Sequence, residues 1–352
     1  MSSSTSPSSR TSSSTSILCA NPALRNSWYA VARGIDVRMA PVSVTLLGTK
    51  VVLYRSTSAR TSEIIAAPDR CPHREAPLSA GYMSDGCLVC PYHGWTFGAD
   101  GRCVRVPSSA DNIPAPPRAH LATYVTAEKY GLVWLCIGTP TTTADGSPDI
   151  PVIPNEDDPT FRRINTPVDV WHCSATRMSD NFLDISHFPF VHTGTFGRAQ
   201  ETEVPKVKLE ELDGGWYGYK YEVRANNSAL GTLASGQSVD IVERSMSSGF
   251  HLPFDVRSTI AYHSGLQHIL LLLSTPIDDV TSYFTFVVWR NDDFAVSAEE
   301  IIRFDLAIGA EDKRMLEQLD GVLPLDKTTL VNAQADKASV EWRRRLHESM
   351  ES

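Results

Sequence analysis

The chain has no long apolar run, no cluster of basic residues, no cysteine pairing pattern and no internal repeat, and each absence removes a class of protein. The longest apolar candidate, around Ile269–Leu273, is strand length, well short of the ~18 residues that cross a bilayer, so no membrane association is expected. Lys and Arg total 32 against 41 Asp and Glu, a net charge of −9. Nucleic-acid phosphates need clustered cations, so that partner is not expected, whereas a basic partner protein suits the charge. Residues Met1–Ser16 contain no acid and are almost entirely Ser and Thr with one Arg. They cannot bury apolar area, and a disordered tail over residues 1–24 is expected. A transit peptide shares this Ser-rich, acid-poor composition and is the second reading. The remainder, 42% hydrophobic and 21% charged over 352 residues, suffices for one large domain or two medium ones.

What the chain does have is concentrated in two segments. Cys71-Pro72-His73 is followed, after sixteen residues, by Cys90-Pro91-Tyr92-His93. Two Cys and two His in a C-x-H…C-x-x-H frame suit a Rieske-type [2Fe-2S] cluster, in which the thiolates hold one iron and the imidazoles the other. Neutral imidazoles lower the negative charge and raise the reduction potential. A structural zinc is the rival for such a quartet, but zinc sites usually bring like ligands in pairs, and here each pair mixes Cys with His. Cys19, Cys87, Cys103, Cys136 and Cys173 are left without a pairing pattern. With an oxidation-sensitive cluster, this points to a reducing cytoplasm.

Around the first segment, short β-branched and aromatic runs (Val42–Leu47, Val51–Tyr54, Leu121–Val125, Leu132–Ile137) alternate with Gly, Pro and Asp clusters. They predict an all-β module with the cluster loops at one tip. Thr139–Pro159, rich in Thr, Pro and Asp, reads as a linker. Beyond it a helix near Arg177–His192, strands at Gly215–Val223, Val239–Ser245, Ile269–Thr275 and Tyr283–Trp289, and a helix from Ser297 to about Asp320 predict an α+β domain. Its core is a curved antiparallel sheet flanked by helices. The domains are therefore placed at 25–150 and 151–352.

The second segment, Asp180 to His192, reads D-x-x-x-D-x-x-H-x-x-x-x-H. On one helix, Asp180, Asp184 and His187 share a face, whereas His192 misses it by more than about a hundred degrees. Pro189 lies between the histidines, and a kink there would swing His192 back. Two imidazoles and one carboxylate make the facial triad that leaves positions on iron(II) open for dioxygen. The bland alternative is a pair of core histidines among Phe182, Phe188 and Phe190, but an electron-transfer centre needs somewhere to send its electron.

The third ligand should be an acid on a buried helix face. Ile301, Ile308, Met315, Leu316 and Leu319 form an apolar stripe with Asp312 inside it. A carboxylate there is costly unless paired or metal-bound. Asp305 is the rival, and Glu311 and Asp320 read as solvated charges.

With both motifs in view, the chain from about Arg25 to Arg345 resembles the catalytic α subunit of Rieske non-heme iron oxygenases. The likeness is to the homotrimeric branch of dicamba O-demethylase, caffeine N-demethylases and saxitoxin-pathway hydroxylases. Asn26-Ser27-Trp28-Tyr29, Cys90-Pro91-Tyr92-His93-Gly94-Trp95, Tyr130-Gly131-Leu132-Val133-Trp134, the iron motif and Glu311-Asp312-Lys313 carry it. The resemblance implies that Cys71, His73, Cys90 and His93 hold the [2Fe-2S] cluster, and that His187, His192 and Asp312 hold mononuclear Fe(II). It also implies that Asp184 bridges His187 to the His93 of a neighbouring copy in a head-to-tail homotrimer, while Asp180 and Asn181 support the helix.

A separate NAD(P)H-dependent reductase or ferredoxin would supply electrons, and O2 would be spent on monooxygenating a small organic molecule, by hydroxylation or oxidative demethylation. Arene dihydroxylation stays open. A bare electron carrier is the non-enzyme alternative, but it leaves some two hundred residues unexplained. Pocket walls are expected after His192, in Ser228–Phe254 and on the strand ending at Trp289-Arg290. His268 faces either the pocket or the sheet's outer side, and His120, His172, His251, His263 and His347 read as non-ligands.

Overall fold

A computed structural model describes residues 17–57, 62–110, 113–292, 294–326 and 328–351. The Ser/Thr-rich stretch before Ile17 lies outside them. Residues 17–24, expected to belong to the tail, are instead packed. Leu18 and Leu24 are buried, and the Leu18 amide donates to Asp279 at 3.0 Å.

The N-terminal part is all-β, as its alternating runs predict. Tyr29–Arg33 pairs with Leu132–Cys136, which pairs with Val125–Lys129; Val42–Leu46, Thr49–Thr57 and Ser62–Pro68 form a meander. A four-stranded sheet (Tyr82–Ser84, Cys87–Val89, Thr96–Phe97, Cys103–Arg105) carries the second cluster loop. The run expected as a strand over Leu121–Val125 begins only at Val125. Leu121 is buried but outside any strand, its amide spent on the Gly101 carbonyl.

The C-terminal part is an eight-stranded antiparallel sheet with helices against it. Its central run is Tyr217–Asn226, Ile241–His251, Asp255–Tyr262, Gln267–Pro276 and Ser282–Arg290, each paired with the next. Asp255–Tyr262 gave no sequence signal because polar Arg257, Ser258 and Thr259 interrupt its alternation. The helices are α1 (Ala175–Leu183), α2 (Phe188–Val191), α3 (Ala229–Ser235), α4 (Ala298–Leu316) and α5 (Lys337–Glu351). Helix α4 starts where Ser297 accepts the Glu300 amide, with Glu299 and Glu300 in its first turn and Lys313 and Arg314 in its last, matching the helix dipole.

The stretch expected to be a linker is not free. Ile150 and Ile153 are buried, the Trp216 indole donates to the Val152 carbonyl at 2.7 Å, and the Tyr130 hydroxyl donates to Pro151 at 2.9 Å. One core therefore crosses the expected boundary: Trp28, Leu132 and Trp134 pack with Ile269, Leu271 and Trp289. At roughly 25 cal/mol per Å2 and 150–250 Å2 per side chain, each buried Trp contributes on the order of 4–6 kcal/mol before ordering costs. An exposed ion pair contributes about 1 kcal/mol at most, so apolar packing joins the two parts.

His251 ties the same connection to the sheet, with Nε2 3.3 Å from Asp149 and Nδ1 3.6 Å from Asp255. Burial alone would lower its pKa, but the hydrogen bond to Asp149 and the nearby Asp255 carboxylate outweigh that and push it up to about 9. Burial raises Asp255 while the bond to His251 lowers Asp149, so the charge pair rests mainly on Asp149. A folded pKa above the unfolded value of about 6.5 gives stability that is complete below that pH and fades as pH rises through the folded value. His251→Gln is expected to cost about 3 kcal/mol at pH 6 and little above about pH 10, measured by denaturant unfolding. Equal losses at both pH values would show that the residue matters only through packing.

Candidate functional site

Two loops at the tip of the β-module hold the first constellation. In one, the Cys71 amide donates to the Ala76 carbonyl and the Glu75 amide to that of Cys71; in the other, Cys90 donates to Trp95 and Gly94 to Cys90. Gly94 turns the second loop at φ +70°, a conformation costly for a residue with a Cβ. Cys71 and Cys90 are buried, His73 is half-buried and stacks on Trp95 at 4.4 Å, and His93 is exposed beside the exposed Tyr92. The imidazole rings of His73 and His93 lie 4.5 Å apart, and the buried His73 Nδ1 has no hydrogen-bond partner. Among the described residues, only His187, His192 and Asp312 bring three such donor atoms within 4.8 Å of one another. The Cys71, His73, Cys90, His93 set, two thiols and two imidazoles, suits a two-iron cluster.

The second constellation differs from the expected kinked helix. Helix α1 ends at Leu183, and Asp184 is extended (φ −86°, ψ 145°). Its carboxylate accepts from the Ser186 amide and hydroxyl at 2.8 and 2.6 Å and from the His187 amide at 3.1 Å, so the break is an Asx turn. His187 then caps α2, and Pro189 lies in the first turn of that helix, where no amide is missed. The turn before His187, not a kink at Pro189, aligns the histidines, and Asp180, Asp184 and His187 do not share one helix face.

The two imidazoles face each other, Nε2 to Nε2, at 3.0 Å. Each outer nitrogen meets a carboxylate: His187 Nδ1 meets Asp184 at 3.1 Å and His192 Nδ1 meets Glu311 at 3.0 Å. Protons on both Nδ1 atoms leave a lone pair on each Nε2. Two lone pairs at that distance repel unless a cation lies between them.

Asp312 Oδ1 lies 3.5 Å from His187 Nε2 and 3.4 Å from His192 Nε2, held by the Asn181 amide at 3.0 Å. Burial pushes Asp312 up to about 6, so its charge calls for a cation. Burial first, and then the electrostatic influence of His187 and Arg244, bring His192 down to about 3, so its imidazole is neutral at pH 7. Burial would raise Asp184, but its bonds to His187 and Ser186 hold it below its ordinary value. The residues present fit a mononuclear divalent iron.

The rival acid Asp305 is elsewhere, 3.2 Å from His268. Glu311, read from sequence as a solvated charge, is buried and accepts from the Gly194 amide at 3.0 Å and the Thr195 hydroxyl at 2.7 Å. A Cβ on Gly194 would come 2.6 Å from Glu311, so a side chain there would push the carboxylate aside. The signal for Glu311 was present: it follows the inward-facing Phe304 and Ile308 by seven and three residues on α4. Met315, placed on the apolar stripe, is exposed.

Beside the triad lies a cavity of about 870 Å3, counting its open mouth. Phe196 lines it just beyond His192; Arg244, Met246 and Ser248 line it from the expected Ser228–Phe254 region. The strand ending at Trp289-Arg290 lines it, as expected, through Phe284 and Phe286, and the unanticipated strand contributes Ser258, Ile260 and Tyr262. His268 faces this cavity; His120, His172, His251, His263 and His347 do not.

Residues 27–124 match the Rieske [2Fe-2S] domain, and residues 171–352, more than half of the chain, match the vanillate O-demethylase oxygenase C-terminal domain. The methylxanthine N1-demethylase NdmA of Pseudomonas putida is 29% identical over 94% of this chain and 90% of its own length. The oxygenase component of dicamba O-demethylase from Stenotrophomonas maltophilia is 32% identical over 54% of this chain and 53% of its own. The solved structure of NdmA with caffeine covers 94% of this chain and 92% of its own at TM-score 0.78 and 28% identity. Dicamba monooxygenase bound to 3,6-dichlorosalicylic acid, at 23% identity and TM-score 0.75, shares the fold.

The chain belongs to the Rieske oxygenases whose catalytic part is the vanillate O-demethylase type of domain. It is an oxidoreductase that carries a [2Fe-2S] cluster and mononuclear non-heme iron and monooxygenates a small organic substrate with electrons from a separate reductase or ferredoxin. Among the described residues no helix is long and apolar enough to cross a membrane.

Proposed function

We propose that Cys71, His73, Cys90 and His93 bind the cluster, that His187, His192 and Asp312 bind the iron, and that the enzyme hydroxylates a C–H bond of a small, largely apolar molecule. At an N- or O-methyl carbon, the product collapses to a demethylated compound. The observation that carries this reading is the pair of facing Nε2 atoms at 3.0 Å, each backed by a carboxylate, with Asp312 completing the face. Iron bound there would supply dioxygen activation driven by electrons from the cluster. The protein's own contribution is orientation and dryness. Asp184 and Glu311 fix the two imidazoles, Asn181 fixes Asp312, and Phe284, Phe286, Leu270 and Leu272 keep the adjoining cavity apolar.

Asp184 is the proposed electron bridge. It lines the substrate cavity on one side and a surface cavity with Arg177, Asp180 and Asn181 on the other. The exposed His93 has the opposite requirement, a carboxylate to meet. These two surfaces support a head-to-tail homotrimer in which Asp184 joins His187 to His93 of the partner subunit. Domains at 25–150 and 151–352 and action in the cytoplasm complete the proposal.

Purified protein should contain about three irons and two acid-labile sulfides per chain, against about two irons for a bare carrier. With labelled dioxygen, one labelled atom should enter the organic product, counting any released aldehyde. Zinc without sulfide, or two labelled atoms in a cis-diol, would overturn the reading.

A further inference from the structure

The substrate cavity contains one charge with no counter-charge. Arg244 lies on the strand Ile241–His251 with Met246 and Ser248 on the same face, and all three line the cavity. Its side chain is buried, 3% exposed, and its Nε has no hydrogen-bond partner. Among the described residues no carboxylate is within ion-pairing distance of it. The acid next to it in sequence, Glu243, pairs with Arg224 at 3.4 Å. Of the acids that line the cavity, Asp305 lies 3.2 Å from His268, and Asp184 and Asp312 meet the histidines of the triad. A buried guanidinium is costly when unpaired, and its planar fork matches a carboxylate with two parallel hydrogen bonds.

Its position relative to the triad is informative. The guanidinium stacks over Phe196 at 4.9 Å, and Phe196 in turn stacks on His192 at 4.8 Å. An anion held by Arg244 would thus be one ring away from the iron face. Met246, Ile260, Leu270, Leu272, Phe284 and Phe286 offer the rest of the molecule an apolar bed.

We propose that Arg244 is a specificity-determining residue that receives the carboxylate of the substrate, so that the enzyme acts on a small organic acid with an apolar, ring-sized body. This rests on reading the cavity as the substrate site. The carboxylate anchors one end at Arg244, and the carbon to be oxygenated lies at the other end, towards His187, His192 and Asp312.

The test measures binding to the oxidised holoenzyme without any electron donor, by titration calorimetry. The probes are 4-methoxybenzoate, 4-methoxyphenylacetate and 4-methoxycinnamate, each beside its methyl ester. At least one acid should bind about tenfold or more tightly than its ester. Arg244→Gln should erase that preference by weakening the acid while leaving the ester within about threefold, and Arg244→Lys, which keeps the charge but loses the fork, should fall between.

Melting temperature and iron content serve as controls, and if Arg244→Gln fails either, Arg244→Lys alone decides by whether the acid preference shrinks. Failure of every acid to bind, an equal affinity for acid and ester, or an equal loss for both in the variant would overturn the proposal. An acid that binds yet is not oxygenated when electrons are supplied counts against the monooxygenase reading and leaves Arg244 in place.

Discussion

Asp312→Ala should strip the mononuclear iron, taking the protein from about three irons per chain to about two, while the cluster spectrum is unchanged. The physical basis is geometric. Asp312 Oδ1 lies within 3.5 Å of both facing imidazole nitrogens, and burial raises it to about 6, so a bound cation would stabilise its charge there. Two neutral imidazoles without that carboxylate retain too few donors and no charge to hold a hard divalent ion. Turnover should fall to background, as it should for His187→Ala.

Asp305→Ala is the control. Asp305 is seven residues earlier on the same inner face of α4 but pairs with His268, so its loss should leave the iron count intact. Iron analysis and the reduced-cluster electron paramagnetic resonance spectrum together decide. Iron retained in Asp312→Ala and lost in Asp305→Ala would reverse the ligand assignment.

Mixing two inactive variants should restore activity. In a head-to-tail ring, a His93→Ala chain has an intact iron site, a His187→Ala chain has an intact cluster, and a junction between them joins the working halves. Random co-assembly at equal amounts makes such a junction in about a quarter of cases, so up to about a quarter of wild-type activity is expected. Transfer within one chain predicts none, since every chain lacks one half.

Asp184→Asn complements this experiment. It keeps the side chain's size but removes the charge that His187 Nδ1 meets at 3.1 Å. Both metal sites should stay occupied and the cluster reducible, while electron delivery slows on the order of 10–100-fold. Co-assembled rings that remain inactive beside active wild-type controls, or an Asp184→Asn protein with unimpaired delivery, would show that electrons do not cross this interface.

The sequence by itself determined the elements whose signal is local. Cys71, His73, Cys90 and His93 form a fixed spacing on two short loops, and the helix with Asp312 inside an apolar stripe is read from periodicity, because a buried carboxylate among Ile301 and Ile308 is an energetic anomaly that requires a partner. The strand from Gln267 is similarly legible, as a short continuous apolar run.

Tertiary structure decided what depends on contacts between distant segments. The alignment of His187 with His192 comes from the Asx turn at Asp184, a competition between side-chain and helical hydrogen bonding that helix periodicity cannot register. Glu311 became buried because Gly194 and Thr195, more than a hundred residues away, bring an amide and a hydroxyl to it. The apparent linker is fixed because Trp216 and Tyr130 meet its backbone. Arg244 reads in sequence as one cation among many. Only the fold, by burying it in the cavity with no carboxylate opposite, gives that charge a consequence.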